Sequence, residues 1–212
     1  MMKPFFSKSD QITQESEALI DACISGDIET VKSLFEKGAD VNARDPEYGD
    51  TPLSQAALKG HLGIVTYLLS TKKLDQYSKD LALIFAAQSG NVEIIKLLVA
   101  DGADVNASYF ENYLPPIYQT IIQNKLPAFQ YLIESQDIDL QLVALQDSLP
   151  VLMAAFHGRI DMVKAFISKG VDLNASNSEG LTIRACAEKR GHGEVVRYID
   201  DAKEEGKLKC TP

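Results

Sequence analysis

An internal period constrains this chain more than anything in its composition. Aligned on Thr51, equivalent positions fall at Glu17, Thr51, Leu81, Pro115, Leu149 and Thr182, which by subtraction gives spacings of 34, 30, 34, 34 and 33 residues. The hexapeptide GADVNA at Gly38 to Ala43 returns at Gly102 to Ala107, and again as GVDLNA at Gly170 to Ala175. Nine residues after each start stand Gly26, Gly60, Gly90, Asn124, Gly158 and Gly191, residue types that tolerate the left-handed backbone needed to end a short helix. A period of this length marks stacked copies of one small unit, and six copies result.

The second unit shows what each copy folds into. Thr51-Pro52-Leu53 reads as a helix start, with Thr51 as N-cap and Pro52 at the first helical position, where a missing N–H costs nothing. Leu53, Ala56 and Ala57 make a narrow stripe of small apolar residues, and Gly60 ends the helix. A second helix follows with a wider stripe of Leu62, Val65, Leu68 and Leu69, so the two fold back as a hairpin with apolar faces on both sides. One hairpin cannot bury both faces, hence the need for neighbours. The stripe recurs in register as Ile64, Val65, Leu68; Ile94, Ile95, Leu98; Phe129, Leu132, Ile133; and Met162, Val163, Phe166, Ile167. The ends differ. Glu17 and Asp21 make the outer side of the first unit polar, and Asp200 replaces the apolar residue that Phe35, Leu69, Val99, Ile133 and Ile167 supply, so the array ends there.

The TPL start, the AAxxGH turn of Ala56 to His61 and the GADVNA loop together resemble the ankyrin-repeat family, over units running from Glu17 to Ala202. The resemblance implies an all-α solenoid of stacked helix-turn-helix units with protruding loop or β-hairpin fingers. It implies one domain over residues 15–202, preceded by a flexible segment, 1–14, and followed by a C-terminal tail, 203–212. Departures are informative. The histidine of the family's TPLH is replaced by Ile20, Ser54, Ile84, Tyr118, Leu152 and Ala185, so its hydrogen bonds are expected to be absent. Between Leu69 and Leu81 only Ser70 to Asp80 remain, which predicts a truncated third finger. The fourth unit has Pro115-Pro116-Ile117 for TPL, Asn124 for glycine and a slipped loop at Gln136 to Leu140; with Pro127 these predict that units four and five are the soft region.

With 21 Lys+Arg against 30 Asp+Glu, the net charge is -9 and the pI about 4.8. That argues against nucleic acid or an anionic membrane surface and mildly favours a basic partner. Cys23, Cys186 and Cys210 are an odd number without metal spacing, which predicts unpaired thiols in a reducing compartment and a cytoplasmic protein. No apolar run approaches a secretory or membrane segment; Phe5-Phe6 is the longest near the start. His61 and His192 occupy the GH turn, where the family uses histidine for packing and hydrogen bonding; no chelating residue lies at i+3 or i+4 of either. Asp200-Asp201 and Glu204-Glu205 read as a solvated face, and GxSxG, GxxxxGK and GxGxxG are absent. No catalytic residue, cofactor or metal is expected.

The resemblance places binding residues on the concave face, at the two positions before each turn glycine and at the finger tips. Carried over, the helix set comprises Ile24 and Ser25, Leu58 and Lys59, Gln88 and Ser89, Ile122 and Gln123, Phe156 and His157, and Lys189 and Arg190. The finger set includes Tyr48, Tyr77, Phe110 and Glu111, with Glu47, Asp50, Ser78, Asp80, Asn112, Leu114, Gln146, Ser178 and Glu179 around them. Tyr48, Tyr77, Tyr109, Phe110 and Tyr113 suit an interface, yet Tyr109, Phe110 and Tyr113 equally suit packing under an irregular fourth unit. Leu58, Ile122 and Phe156 either line a shared groove or are buried by tilted units. The expected function is that of a monomeric, non-catalytic protein-binding module: adaptor, scaffold or inhibitor. A bacterial effector using the same array in a host cell is the alternative. An enzyme or small-ligand receptor is the third class, and only the shortened third finger offers it an opening.

Overall fold

Thr51 and Ser54 set the pattern of the structure, a computed structural model that describes residues 13–109, 113–142 and 149–204. The Ser54 amide donates to Thr51 Oγ1 at 3.2 Å, and the Thr51 amide donates to Ser54 Oγ at 2.9 Å, a closed capping box with Pro52 in the first turn. This starts α3 (Pro52–Lys59), which turns through Gly60 into α4 (Leu62–Ser70). The same pair recurs five times: α1 (Gln14–Ser25) with α2 (Ile28–Glu36), α5 (Gln76–Ser89) with α6 (Val92–Ala100), α7 (Pro116–Ile122) with α8 (Leu126–Ile133), α9 (Pro150–Phe156) with α10 (Ile160–Ser168), and α11 (Ile183–Lys189) with α12 (Gly193–Glu204). The fold is therefore all-α, with twelve helices and no strand longer than an isolated bridge among the described residues.

All six turn residues adopt positive φ, Asn124 at 55° included, as their type allows. The first helices of successive units pack side by side in one layer, and the second helices in another. The recurring stripe is inside, with Ile64, Val65, Leu68, Ile94, Ile95, Leu98, Phe129, Leu132, Ile133, Met162, Val163, Phe166 and Ile167 all buried, but Leu62, expected on it, is the first residue of α4 and is exposed. The core is nevertheless divided into two large parts and a small third cluster of Leu81, Ile84 and Phe85. One cluster runs from Leu19 to Leu132, and a second runs from Ile117 to Ala202. At the ends, Glu17 and Asp21 are exposed, and Asp200 accepts from Arg184 Nε at 2.8 Å and Nη2 at 3.2 Å. That ion pair stands where earlier units have an apolar residue.

Two units do not begin where the period puts them. Thr51, Pro115, Leu149 and Thr182 are N-cap residues, but Glu17 and Leu81 lie inside helices that start at Gln14 and Gln76. Upstream caps are the reason. The hydroxyl of Thr13 accepts from Ser16 N, and the Asp75 carboxylate accepts from Ser78 N. The extra turns are then used: the Asp40 amide donates to Ser16 Oγ at 3.1 Å and the Asp104 amide to Asp80 Oδ1 at 2.7 Å, so each long helix holds its own unit's GADVN loop. The third finger is accordingly replaced by helix, leaving only 71–75 between α4 and α5.

The loss of TPLH histidines is partly compensated, contrary to expectation. Ser54 closes the capping box, and the buried Tyr118 hydroxyl donates to Leu142 O at 2.7 Å. Cys23 and Cys186 are buried and unpaired, and burial pushes the Cys23 thiol up to about 12. No described helix is long and apolar enough to cross a membrane. Residues 1–12, the tail from 205 and Cys210 lie outside the described residues.

Two measurements check this account. Leu98 is fully buried between units, so Leu98→Ala should lower unfolding free energy by about 2–5 kcal/mol in denaturant titration. Exposed Lys96, 5.8 Å over the Tyr131 ring, should shift it by no more than about 0.5 kcal/mol on replacement by Ala. Second, α7 and α8 start at Pro115 and Lys125 with no side-chain cap, whereas Thr51 and Asn91 cap α3 and α6. Amides of Ile121 to Ile133 should therefore exchange with deuterium faster than those of Ile94 to Val99 in the capped α6; the reverse order would remove fraying as the explanation.

Candidate binding face

Three of the turns that follow a first helix are tied by a cross-unit bond. A ring nitrogen of His61 lies 3.1 Å from Ile24 O, and one of His192 lies 3.0 Å from Phe156 O. Arg159 does the same work in the fifth unit, donating from Nε to Ile121 O at 3.2 Å and from Nη2 to Ile122 O at 3.4 Å. Each side chain satisfies a carbonyl left free at the end of the preceding first helix. The histidine ring needs space to get there. A Cβ on Gly158 would sit 2.5 Å from His192 Nδ1, so this glycine serves both the left-handed turn and the approach of the next unit. His61 and His192 are thus structural, as their place in the sequence indicates.

The row of residues just before those turns forms one edge of the array. Ile24, Lys59, Gln123, Lys189 and Arg190 are exposed; Leu58, Gln88, Ile122, Phe156 and His157 are half-buried. Leu58 packs on a small cluster of Leu81, Ile84 and Phe85, and Phe156 packs on the second core. The Phe156 ring is covered from outside: the Arg190 guanidinium lies 3.9 Å above its centroid, and the His157 ring meets it edge-on at 5.3 Å. Burial, with Arg159, Arg190 and His192 nearby, holds the His157 imidazole below its usual pKa.

The finger set divides differently from the sequence expectation. Tyr48 is on a finger and is 62% exposed, its hydroxyl donating to Glu47 Oε1 at 2.6 Å. Tyr77, Ser78 and Asp80 are not on a finger at all, because α5 has absorbed that segment. Tyr77 is packed edge-on against Tyr109 at 4.8 Å, lies under Arg44 at 4.0 Å, and donates to Gly49 O at 3.1 Å. Tyr113 reaches further, donating to Asp50 Oδ1 at 2.9 Å and Tyr48 O at 3.0 Å while its ring meets Phe85 at 5.5 Å. Tyr109 donates to the buried Asp80 carboxylate at 2.7 Å. These three tyrosines pack with α5 where the third finger is missing. Burial and the facing carboxylates push the Tyr109 and Tyr113 hydroxyls well above the ordinary tyrosine range, so at neutral pH both are hydrogen-bond donors. Phe110, Glu111, Asn112 and Gln146 lie outside the described residues.

Sequence reasoning missed Arg159, which stands where other units have His61, Asn91 and His192, a signal visible in the alignment; it named Asp80 but as a finger residue, whereas its carboxylate holds the Asp104 amide and the Tyr109 hydroxyl. It also missed the loop asparagines as staples: Asn42 bonds Lys73 O and Asp75 N, and Asn106 bonds Asp137 O and Asp139 N, each tying one unit's loop to the next. An open depression of about 380 Å³ lies at the end of the array, lined by Glu188, Gly191, His192, Gly193, Val196 and Arg197. Among the described residues no group of three His, Cys, Asp or Glu is placed to hold a metal ion.

The family described as Ankyrin repeats (3 copies) matches residues 19–109 and 117–207. The chain is 31% identical over 180 residues to the transient receptor potential cation channel subfamily A member 1 homolog of Caenorhabditis elegans, covering 82% of this chain and 14% of that protein. It is 29% identical over 205 residues to a Rickettsia felis protein named for its ankyrin repeats, covering 93% of this chain and 45% of that one. The chain thus spans less than half the length of either relative. It also resembles a chain in the structure of the Bd0816 predatory endopeptidase from Bdellovibrio bacteriovorus in complex with immunity protein Bd3460, with a TM-score of 0.76 and 25% identity over 90% of this chain and 99% of that one.

The turn geometry predicts an asymmetry between two glycines. Gly158 (φ 66°) and Gly170 (φ 84°) are both left-handed, but a Cβ at Gly170 meets nothing within 4 Å. Gly170→Ala should cost about 1–2 kcal/mol for its backbone alone. Gly158→Ala should cost more, because His192 must also leave Phe156 O; equal melting temperatures for the two variants would show that the histidine bond contributes nothing.

Proposed function

This chain belongs to the ankyrin-repeat family, and on that premise we propose that it is a non-catalytic module that binds a protein partner through its row of first-helix ends and the Tyr48 finger. Leu58, Lys59, Gln88, Ile122, Gln123, Phe156, His157, Lys189 and Arg190 supply the helix side of that face, and Tyr48 supplies the loop side. The observation that carries the reading is the half-exposed apolar set Leu58, Ile122 and Phe156 at one repeat position. Gln88 and Lys189 occupy the same position in units that fold equally well, so folding alone does not select large apolar groups there. Tyr77 is reassigned from this face to the packing of the third unit.

The net charge of -9 favours a basic surface on the partner where it faces the loops. The buried, unpaired cysteines suit a reducing, cytoplasmic location, and the array is read as a monomer with no cofactor. Among the finer roles, inhibitor is favoured by the solved neighbour, which belongs to a complex of an endopeptidase with an immunity protein and has nearly all of its length matched by this chain. The bacterial effector role is the alternative, and the Rickettsia felis relative supports it.

The test is capture of the native partner with wild type and with Ile122→Asp combined with Lys59→Glu, chosen because neither side chain is fully buried. Capture should fall at least about tenfold, equivalent to about 1.4 kcal/mol, with the melting temperature nearly unchanged. Undiminished capture by the folded variant would place binding away from this face.

A further inference from the structure

The C-terminal end of the row has a charge opposite to that of the protein as a whole. Seven lysines and arginines have carboxylates at 2.6–3.9 Å: Lys32, Arg44, Lys72, Lys79, Lys164, Lys169 and Arg184. The other ten among the described residues have none, and three of these, Arg159, Lys189 and Arg190, fall together at this end of the row, where the neighbouring Glu188 is paired with Arg184. The three stand at the ends of α9 and α11, two first helices that pack side by side. Arg190 stacks on the Phe156 ring, Arg159 is anchored on the carbonyls of Ile121 and Ile122, and Lys189 stands exposed at the end of α11. His157 packs on the same ring, and His192 bonds the Phe156 carbonyl. The finger loops join the opposite ends of the first helices, so their acids, such as Asp172 and Glu179, are separated from this cluster by the length of a helix, about 10 Å for seven residues.

Resting on the binding-face reading above, we propose that this patch is a docking site for an acidic segment of a protein partner, with carboxylates on Arg190, Lys189 and Arg159 and an apolar side chain against Phe156. Charge complementarity chooses the occupant. A guanidinium seated 3.9 Å over an aromatic ring has lost part of its conformational freedom, and its N–H fork suits a bridging carboxylate. An exposed Arg over a half-buried aromatic is the composition of an interface hot spot. Nucleic acid fits less well, because three cations on a protein of charge -9 neutralise far fewer phosphates than the roughly 6–10 that such complexes use.

The partner segment is unidentified, so the probe is a random twelve-residue peptide library selected on the intact protein and, in parallel, on the Lys189→Glu, Arg190→Glu double variant. Both positions are exposed, and a circular dichroism melt of the variant is the check that it folds. Peptides recovered on wild type should be rich in Asp and Glu with at least one apolar residue, and the variant should bind them at least about tenfold more weakly. Recovery of neutral or basic peptides, of no peptides, or of acidic ones that bind the variant equally well overturns the proposal, as does tighter binding of a charge-matched oligothymidylate. The broader reading is judged separately: basic peptides lost with Ile122→Asp would leave the binding face standing and this site refuted.

Discussion

Everything in this structure follows from the inability of a single helix pair to bury its own apolar surface. Four first helices, α3, α5, α9 and α11, present small residues, Ala56 and Ala57, Ala86 and Ala87, Ala154 and Ala155, and Ala187, and all of them are buried. Small side chains let first helices approach closely, while larger ones such as Leu68, Leu98, Phe129 and Phe166 fill the space between second helices. The burial is mutual between neighbours, so the chain must supply polar ends of its own. It does so with exposed Glu17 and Asp21 at one end and the Arg184–Asp200 pair at the other.

Polar staples run along the same direction as the apolar contacts. His61, Arg159 and His192 bond carbonyls of the preceding unit at the turn side, and Asn42 and Asn106 bond the following loop at the finger side. These bonds fix the register that apolar burial leaves adjustable, since a hydrophobic face is satisfied by many small shifts and a directional bond by few. Arg159 in place of a histidine shows that more than one residue type can reach the same carbonyls.

The fold was legible because its signals repeat: a cap, a turn residue and a stripe each appear up to six times, so individual departures did not obscure them. Helix starts in the first and third units were not legible, because Thr13 and Asp75 act as caps upstream of the aligned positions and a cap lies outside the periodic pattern. The same competition explains Tyr77. Counting from the period placed it on a finger, while the Asp75 cap placed it on α5. On the binding face, position within the repeat predicted which residues would be partly exposed, but not that Arg190 would lie on Phe156, since that contact joins different units.

Tyr113 alters how the array holds together. In an ideal solenoid each unit interacts only with its neighbours, so stability is a sum of local couplings and unfolding proceeds by loss of end units. The Tyr113 hydroxyl bonds Asp50 across 63 residues of sequence, skipping the unit between. That is a next-nearest-neighbour coupling. It makes the second, third and fourth units interdependent, so losing the fourth also loosens the second, and it adds a non-local contact to a chain whose ordering is otherwise local. The shortened third unit has therefore given this part of the array a cooperativity closer to that of a globular domain than to that of a row of repeats.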